Sequence, residues 1–175
     1  TTSSQIPANT DLTFIGRSRR QPATGTVASY ESGGLSRDTV STMSKENVGI
    51  VRHVNAALNA GDMDEWLAYL DPEFEFVDHM AAVAEESGSG IETIRRQAES
   101  WFETFPDFRA AVDEFIDAGD RVVTVTHWQG TGAGSGLPYS QRAAEIFTLR
   151  DGKIIHLEMG FADKADALTA VGLSA

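Results

Sequence analysis

From Phe108 to Phe161 the apolar residues recur with a period of two, and the alternation is interrupted by short turn signals. Side chains repeating at that period stand on alternate faces of an extended strand. Ala118-Gly119-Asp120 is a tight-turn sequence, and Asp151-Gly152 is a strong hairpin signal. The pattern predicts four antiparallel strands: Phe108–Asp117, Arg121–Gln129, Tyr139–Arg150 and Lys153–Phe161. Between the middle two, Gly130–Pro138 holds four glycines. It lacks the lysine and the spacing of a phosphate-binding loop and reads as a flexible hairpin loop or lid.

Upstream the spacing is helical. Ser44 suits a helix N-cap, and Val48, Val51, Val54 or Asn55, and Leu58 follow on one face until Gly61 stops the run. Asp62 caps a second helix, with Glu65 placed to reach back to it and Met63, Trp66, Leu67 and Leu70 as its apolar side. Asp71-Pro72 ends it, and Phe74–Asp78 alternates as a strand. Residues 81–90 read as a loop ending in Ser-Gly-Ser-Gly. A third helix runs from Ile91 to Phe105, its stripe of Ile94, Ala98, Trp101 and Phe102 closed by Pro106. Asp163 caps a last helix over Ala165–Val171. Helices gathered before a meander predict an α+β fold, a curved, cone-shaped antiparallel sheet with the N-terminal helices packed on one face. A cone has an open mouth suited to a small ligand.

The 175 residues suffice for one domain with a real core, expected over 44–175. Residues 1–43 are rich in Ser, Thr and Gly without a sustained period and read as an arm. Within it Leu12-Thr13-Phe14-Ile15, followed by Arg17, Arg19 and Arg20, is apolar enough to dock on its own or a neighbouring subunit. The net charge is −12, and all of the acid excess falls after residue 43, since residues 1–43 carry a net +1. Such a surface repels nucleic acid and anionic membrane. No apolar run approaches a membrane span, and no signal-peptide pattern opens the chain. Without cysteine, disulfides and sulfur-ligated metals are excluded, and a cytoplasmic location is expected.

Two acids break the alternation. In Phe74-Glu75-Phe76-Val77-Asp78-His79, Asp78 shares a face with Phe74 and Phe76. It is carried inward unless the strand ends near Val77. In the strand Tyr139–Arg150, Glu145 aligns with Ala143, Phe147 and Leu149, although the opposite face is also partly apolar and Glu145 then meets an interface or water. A carboxyl held among apolar groups has its charged form disfavoured by desolvation, which makes it a candidate proton acceptor or donor. Val123, Val125 and His127 compete with Val122, Thr124, Thr126 and Trp128 for the interior, and alternation alone leaves that open. His156 and Glu158 lie opposite Leu157, Met159 and Phe161. Two such residues with no third form a poor metal site, so no metal is expected and they read as a solvated or interface pair.

Ala56-Ala57-Leu58-Asn59-Ala60-Gly61-Asp62 after a helix, Phe74–Asp78, and Gly90-Ile91 opening a helix resemble the SnoaL-like and ketosteroid-isomerase-like branch of the nuclear transport factor 2-like fold. Trp128-Gln129-Gly130 and Leu149-Arg150-Asp151-Gly152-Lys153-Ile154-Ile155 continue the likeness, which covers about residues 45–173. The resemblance places Asp78 on the isomerase's aspartate general base and Glu145 on its protonated, hydrogen-bond-donating acid. It places Val54, which has no donor, where the family carries an oxyanion-hole tyrosine; Tyr139, or His127 if it turns inward, could substitute.

The resemblance thus implies a small acid–base enzyme that needs no cofactor. It would move a proton next to a carbonyl of an apolar molecule in isomerisation, cyclisation or dehydration. Asp78 and Glu145 would line one pocket, walled by Val54, Phe76, Trp101, Phe105, Phe147, Leu157, Met159 and Phe161. A homodimer through the open sheet face is also implied. The rival reading is a non-catalytic ligand-binding or dimer-forming module, which Val54 favours, with the arm tethering it to an assembly.

Overall fold

Asn59 ties the first helix to the far edge of the sheet, and that tie sets the width of the interior. Its Nδ2 donates to the Ala110 carbonyl at 2.9 Å and its Oδ1 accepts from the Ala110 N–H at 2.8 Å. Asn55 adds a bond to the same carbonyl at 3.2 Å. Ala110 lies on an edge strand, so these amides satisfy backbone groups that no neighbouring strand reaches.

The computed structural model describes residues 37–80 and 86–174. In chain order it runs α1 (Arg37–Ala60), α2 (Met63–Ala68), β1 (Leu70–Asp78), β2 (Glu86–Ser89), α3 (Ile91–Thr104), β3 (Arg109–Ala118), β4 (Arg121–Thr131), β5 (Pro138–Arg150), β6 (Lys153–Phe161) and α4 (Lys164–Ala170). The six strands form one curved sheet in the order β2-β1-β6-β5-β4-β3. The meander β3 to β6 is antiparallel, as the alternation and turns predict. The pairing of β1 with β6 is parallel, so the sheet is mixed rather than wholly antiparallel. The fold class is α+β, with a single curved sheet and helices packed against it.

Several local expectations are corrected. Ser44 does not cap α1, which starts upstream at Arg37; Ser44 is a buried residue inside the helix whose hydroxyl donates to Asp117 of β3. Leu70 belongs to β1 and not to α2. Pro72 is tolerated inside β1 because the ladder to β6 is irregular between Leu70 and Glu75, where no N–H is needed from it. Part of the expected 81–90 loop is the short strand β2, paired antiparallel to β1. Its glycine permits that pairing: a Cβ on Gly88 would sit 2.6 Å from Cε1 of Phe76. The cap at Asp62 is present, its carboxylate accepting from the Glu65 N–H at 3.1 Å, and Asp163 caps α4 in the same way. The docking piece Leu12–Ile15, and the expected arm up to residue 36, lie outside the described residues.

The core fills the space between the helices and one sheet face. Val51, Val54 and Ala57 of α1, Trp66 and Leu67 of α2 and Ile94 and Ala98 of α3 meet Phe74, Phe76, Val122, Phe147, Leu149 and Leu157 of the sheet. On the other face α4 lays Ala167 and Leu168 over Val123, Ala144 and Ile146. Among the described residues no helix is long and apolar enough to cross a membrane.

Candidate active site in a divided cavity

Burial on β1 follows the alternation: Phe74, Phe76 and Asp78 are buried while Glu75 is exposed. Asp78 pairs with Met159 across the β1–β6 ladder, which puts both side chains on the helix-facing side of the sheet. Its Oδ1 accepts from the Met80 N–H at 2.8 Å, so the chain turns over the carboxylate as the strand ends. Gly160 leaves room for this turn. It has φ +85°, and a Cβ there would lie 2.5 Å from Met80 Cγ and 3.1 Å from Asp78 Oδ1.

On β4 the competition is decided for Val122, Thr124, Thr126 and Trp128, all buried. His127 takes the opposite face, where its ring bonds Ser140 Oγ at 2.8 Å and the Gln129 amide at 2.7 Å. It does not turn inward, because a strand cannot bring adjacent residues to one face. Opposite Thr124 in the ladder stands Glu145. Its Oε2 accepts from Thr124 Oγ1 at 2.9 Å and from Thr126 Oγ1 at 3.0 Å.

Glu145 forms part of the wall of an apolar cavity of about 100 Å³, together with Val54, Leu58, Trp101, Trp128, Phe147, Leu157 and Met159. Glu145 is half-buried by accessible area, but that area opens on the cavity and not on the outer surface. Burial dominates and raises its pKa above the ordinary glutamate value. The hydrogen bonds from Thr124, Thr126 and Trp128 pull the other way, and the nearby charge of Asp78 raises it further. Both threonine hydroxyls are engaged on Oε2.

The two acids do not share one chamber, as the sequence had suggested. Asp78 lines an adjoining, more open hollow of about 630 Å³ with Phe76, Met80, Arg96, Tyr139 and Gln141. Gln97 and Trp101 line both spaces and stand at the junction. The separation is short enough for the charge of Asp78 to act on Glu145 and on Tyr139, whose hydroxyl is pushed up first by burial and then by that charge.

Of the expected wall residues, Val54, Trp101, Phe147, Leu157 and Met159 line the inner cavity and Phe76 the outer hollow. Phe105 packs on Trp101 and Tyr139, with ring centroids 5.3 and 4.8 Å apart, and supports the wall from behind. Phe161 is elsewhere: it packs with the α4 cluster and against His79, 4.5 Å between rings. The ladder shift between Ala144 and Ile146 removes it from the face of Met159. His156 lies on the sheet face away from the cavity, 4.0 Å from Glu75 and 3.9 Å from Glu158. Among the described residues no group of three His, Asp or Glu is arranged to hold a metal ion.

Three polar residues of the site carry no motif. Thr124 and Thr126 were visible only as hydroxyls in register with Val122 and Trp128. Gln97 sits three residues after Ile94 and four before Trp101, on the rim of the α3 apolar stripe, which is where a polar side chain reaches a cavity from a helix.

The comparisons with known proteins agree with this architecture. Bal32a from a soil-derived mobile gene cassette is 20% identical, covering 69% of this chain and 92% of its own at a TM-score of 0.63. TerC, crystallised with polyporic acid, is 22% identical, covering 73% and 98% at 0.58. A candidate SnoaL-like polyketide cyclase from Jannaschia sp. CCS1 is 25% identical, covering 75% and 94% at 0.59. No curated protein matches the chain in sequence. Residues 51–157 match the model of the SnoaL-like domain, and the chain belongs to that family.

Proposed function

We propose that this protein is an acid–base enzyme acting on a small, largely apolar carbonyl compound. The observation that carries the reading is Glu145, a carboxyl kept toward its neutral form at the wall of an apolar cavity and within reach of the charge of Asp78. A neutral acid donates a hydrogen bond to an oxygen that gains charge during reaction, where it stabilises the transition state more than the ground state. An apolar ring system occupies the inner cavity with its carbonyl oxygen on Glu145. The carbon next to the carbonyl lies toward the junction, and Asp78 takes its proton.

The proton moves from carbon to the Asp78 carboxylate as the carbonyl becomes an enolate. Return of the proton to another carbon isomerises the substrate. Expulsion of a β-hydroxyl as water dehydrates it. Attack of the enolate carbon on a second carbonyl closes a ring. The family likeness to a candidate polyketide cyclase supports this group of reactions. Val54, buried in the cavity wall, supports a second reading as a ligand-binding module, since a valine supplies no hydrogen bond to a reacting oxygen.

Deuterium uptake into 2-tetralone in D₂O, followed by NMR, separates the two. The enzyme reading expects wild type to accelerate exchange next to the carbonyl and Asp78→Asn to fall to the buffer rate with an unchanged circular dichroism spectrum. Equal rates for the two proteins favour the binding module. We also infer a homodimer through the sheet face away from the cavity, where Val77, Val125 and His156 are half-buried beyond the cover of α4. A monomeric mass by light scattering would remove that inference.

A further inference from the structure

Four ionisable side chains stand in a row on the sheet face away from the cavity, and the proposed chemistry uses none of them. Glu75 Oε2 lies 4.0 Å from His156 Nδ1, His156 Nε2 lies 3.9 Å from Glu158 Oε1, and Glu158 Oε2 lies 3.4 Å from His79 Nε2. The row follows from the parallel pairing of β1 with β6, which sets Glu75 beside His156 and Val77 beside Glu158. Alternation then carries residues 75, 77, 79, 156 and 158 to one face. Two of the chain's four histidines are thus gathered around Val77. The other two stand elsewhere, His53 against Glu65 and His127 against Ser140.

The ladder neighbours of the row are uncharged: Ile146 and Thr148 on β5, Ser87 and Ser89 on β2. The Phe161 ring packs against His79. On α4, Lys164 is turned to Glu114 of β3 at 2.6 Å and Asp166 is exposed; Arg150 is exposed at the β5–β6 turn. Among the described residues no lysine or arginine is ion-paired to the row, so imidazole is the cation its carboxylates have.

The row lies on the part of the sheet that α4 leaves uncovered, the face through which the homodimer is inferred. We infer that this dimer is proton-linked: covering the row with a second copy takes up protons, and the dimer tightens as pH falls through the histidine range. The inference rests on the homodimer reading. Two-fold symmetry lays the same face on both partners, so each dimer covers two such rows. Covering takes water from Glu75 and Glu158. Beside a neutral imidazole each carboxylate is then buried without a countercharge; beside an imidazolium it is paired. Burial disfavours the imidazolium as well, but a lone buried carboxylate is the larger cost. Placing the proton on the carboxylate instead also takes up a proton, so the sign is the same. The dimer therefore binds protons more tightly than the monomer, and its added affinity is complete below the histidine range and lost as pH rises through it.

Sedimentation equilibrium of the full chain reads the dimer dissociation constant from about pH 8 to about pH 6, in salt high enough to screen the net negative charge. Uptake of one proton per dimer tightens association about tenfold per pH unit, and that slope or a steeper one is the expected result. The double substitution His79→Gln and His156→Gln should flatten it, and His53→Gln should keep it. Glu158→Gln removes the carboxylate that the two rings share. It should flatten the slope too, which keeps the test open if the double variant does not fold. A dissociation constant that does not move with pH overturns the inference, and so does a slope that survives Glu158→Gln. Val77→Arg separates this failure from failure of the dimer. A pH-insensitive dimer that Val77→Arg dissociates leaves the homodimer standing without its proton link. A chain that is monomeric at every pH, or a dimer indifferent to Val77→Arg, removes both.

Discussion

Thr124 stands directly opposite Glu145 in the β4–β5 ladder, and its hydroxyl donates to Glu145 Oε2 at 2.9 Å. The pair sets two opposing influences on one carboxyl. Burial disfavours the charge, and the threonine hydroxyls favour it; burial is the larger, so the proton is held more tightly than in the unfolded chain.

That direction fixes a stability profile. The folded state holds a proton that the unfolded chain releases in the ordinary glutamate range. Stability from this group is complete below that range and is lost as pH rises toward the raised native value. Glu145→Gln, which cannot ionise, should flatten the upper limb of melting temperature against pH and be the more stable form at its alkaline end. Thermal melts of both proteins across the pH range check this. Parallel curves would show that Glu145 does not hold its proton.

Gly160 should tolerate no side chain. Alanine there must adopt φ +85° and place its Cβ 2.5 Å from Met80 Cγ and 2.9 Å from the Met80 N. A left-handed conformation alone costs about 1–2 kcal/mol for a residue with a Cβ. Gly160→Ala should lose at least that much in urea denaturation and, by displacing the turn over Asp78, lose exchange activity as well. Wild-type stability would mean that the turn at Met80 is not held as described.

Asp107 brackets the end of β4, its carboxylate accepting from the Thr131 N–H at 2.6 Å and the Thr131 hydroxyl at 2.8 Å. These bonds hold its pKa below the ordinary aspartate value. A depressed carboxylate contributes above the unfolded range and loses that contribution as pH falls through the native value. The protection of the Thr131 amide, its exchange rate taken against the intrinsic rate at the same pH, should therefore fall on acidification. Asp107→Ala should show the low protection at every pH, with no further acid effect.

Much of this fold was legible because strands and turns announce themselves locally. The period of two from Phe108 to Phe161, Ala118-Gly119-Asp120 and Asp151-Gly152 define the meander, although β4 runs on to Thr131 and β5 starts at Pro138, inside the expected loop. Asp78 and Glu145 stood out because each is a charge in register with apolar neighbours. What escaped depends on partners distant in sequence. Ser87-Gly88-Ser89-Gly90 reads as loop because nothing in it reports that Phe76 needs a neighbour without a side chain. Alternation puts Phe161 in the wall beside Leu157 and Met159, whereas one ladder shift, invisible in that alternation, turns it to the other face. The division of the cavity was equally hidden, since it depends on where α3 lays Gln97 and Trp101 across the sheet.

The account turns on Glu145 staying protonated in the folded protein, and its own titration reads that directly. Carboxyl carbon shifts of ¹³C-glutamate-labelled protein, with Glu145→Gln to assign the signal, should show one carboxyl still neutral at a pH where the other glutamates have ionised. A Glu145 signal that titrates together with the surface glutamates would contradict the proposed chemistry.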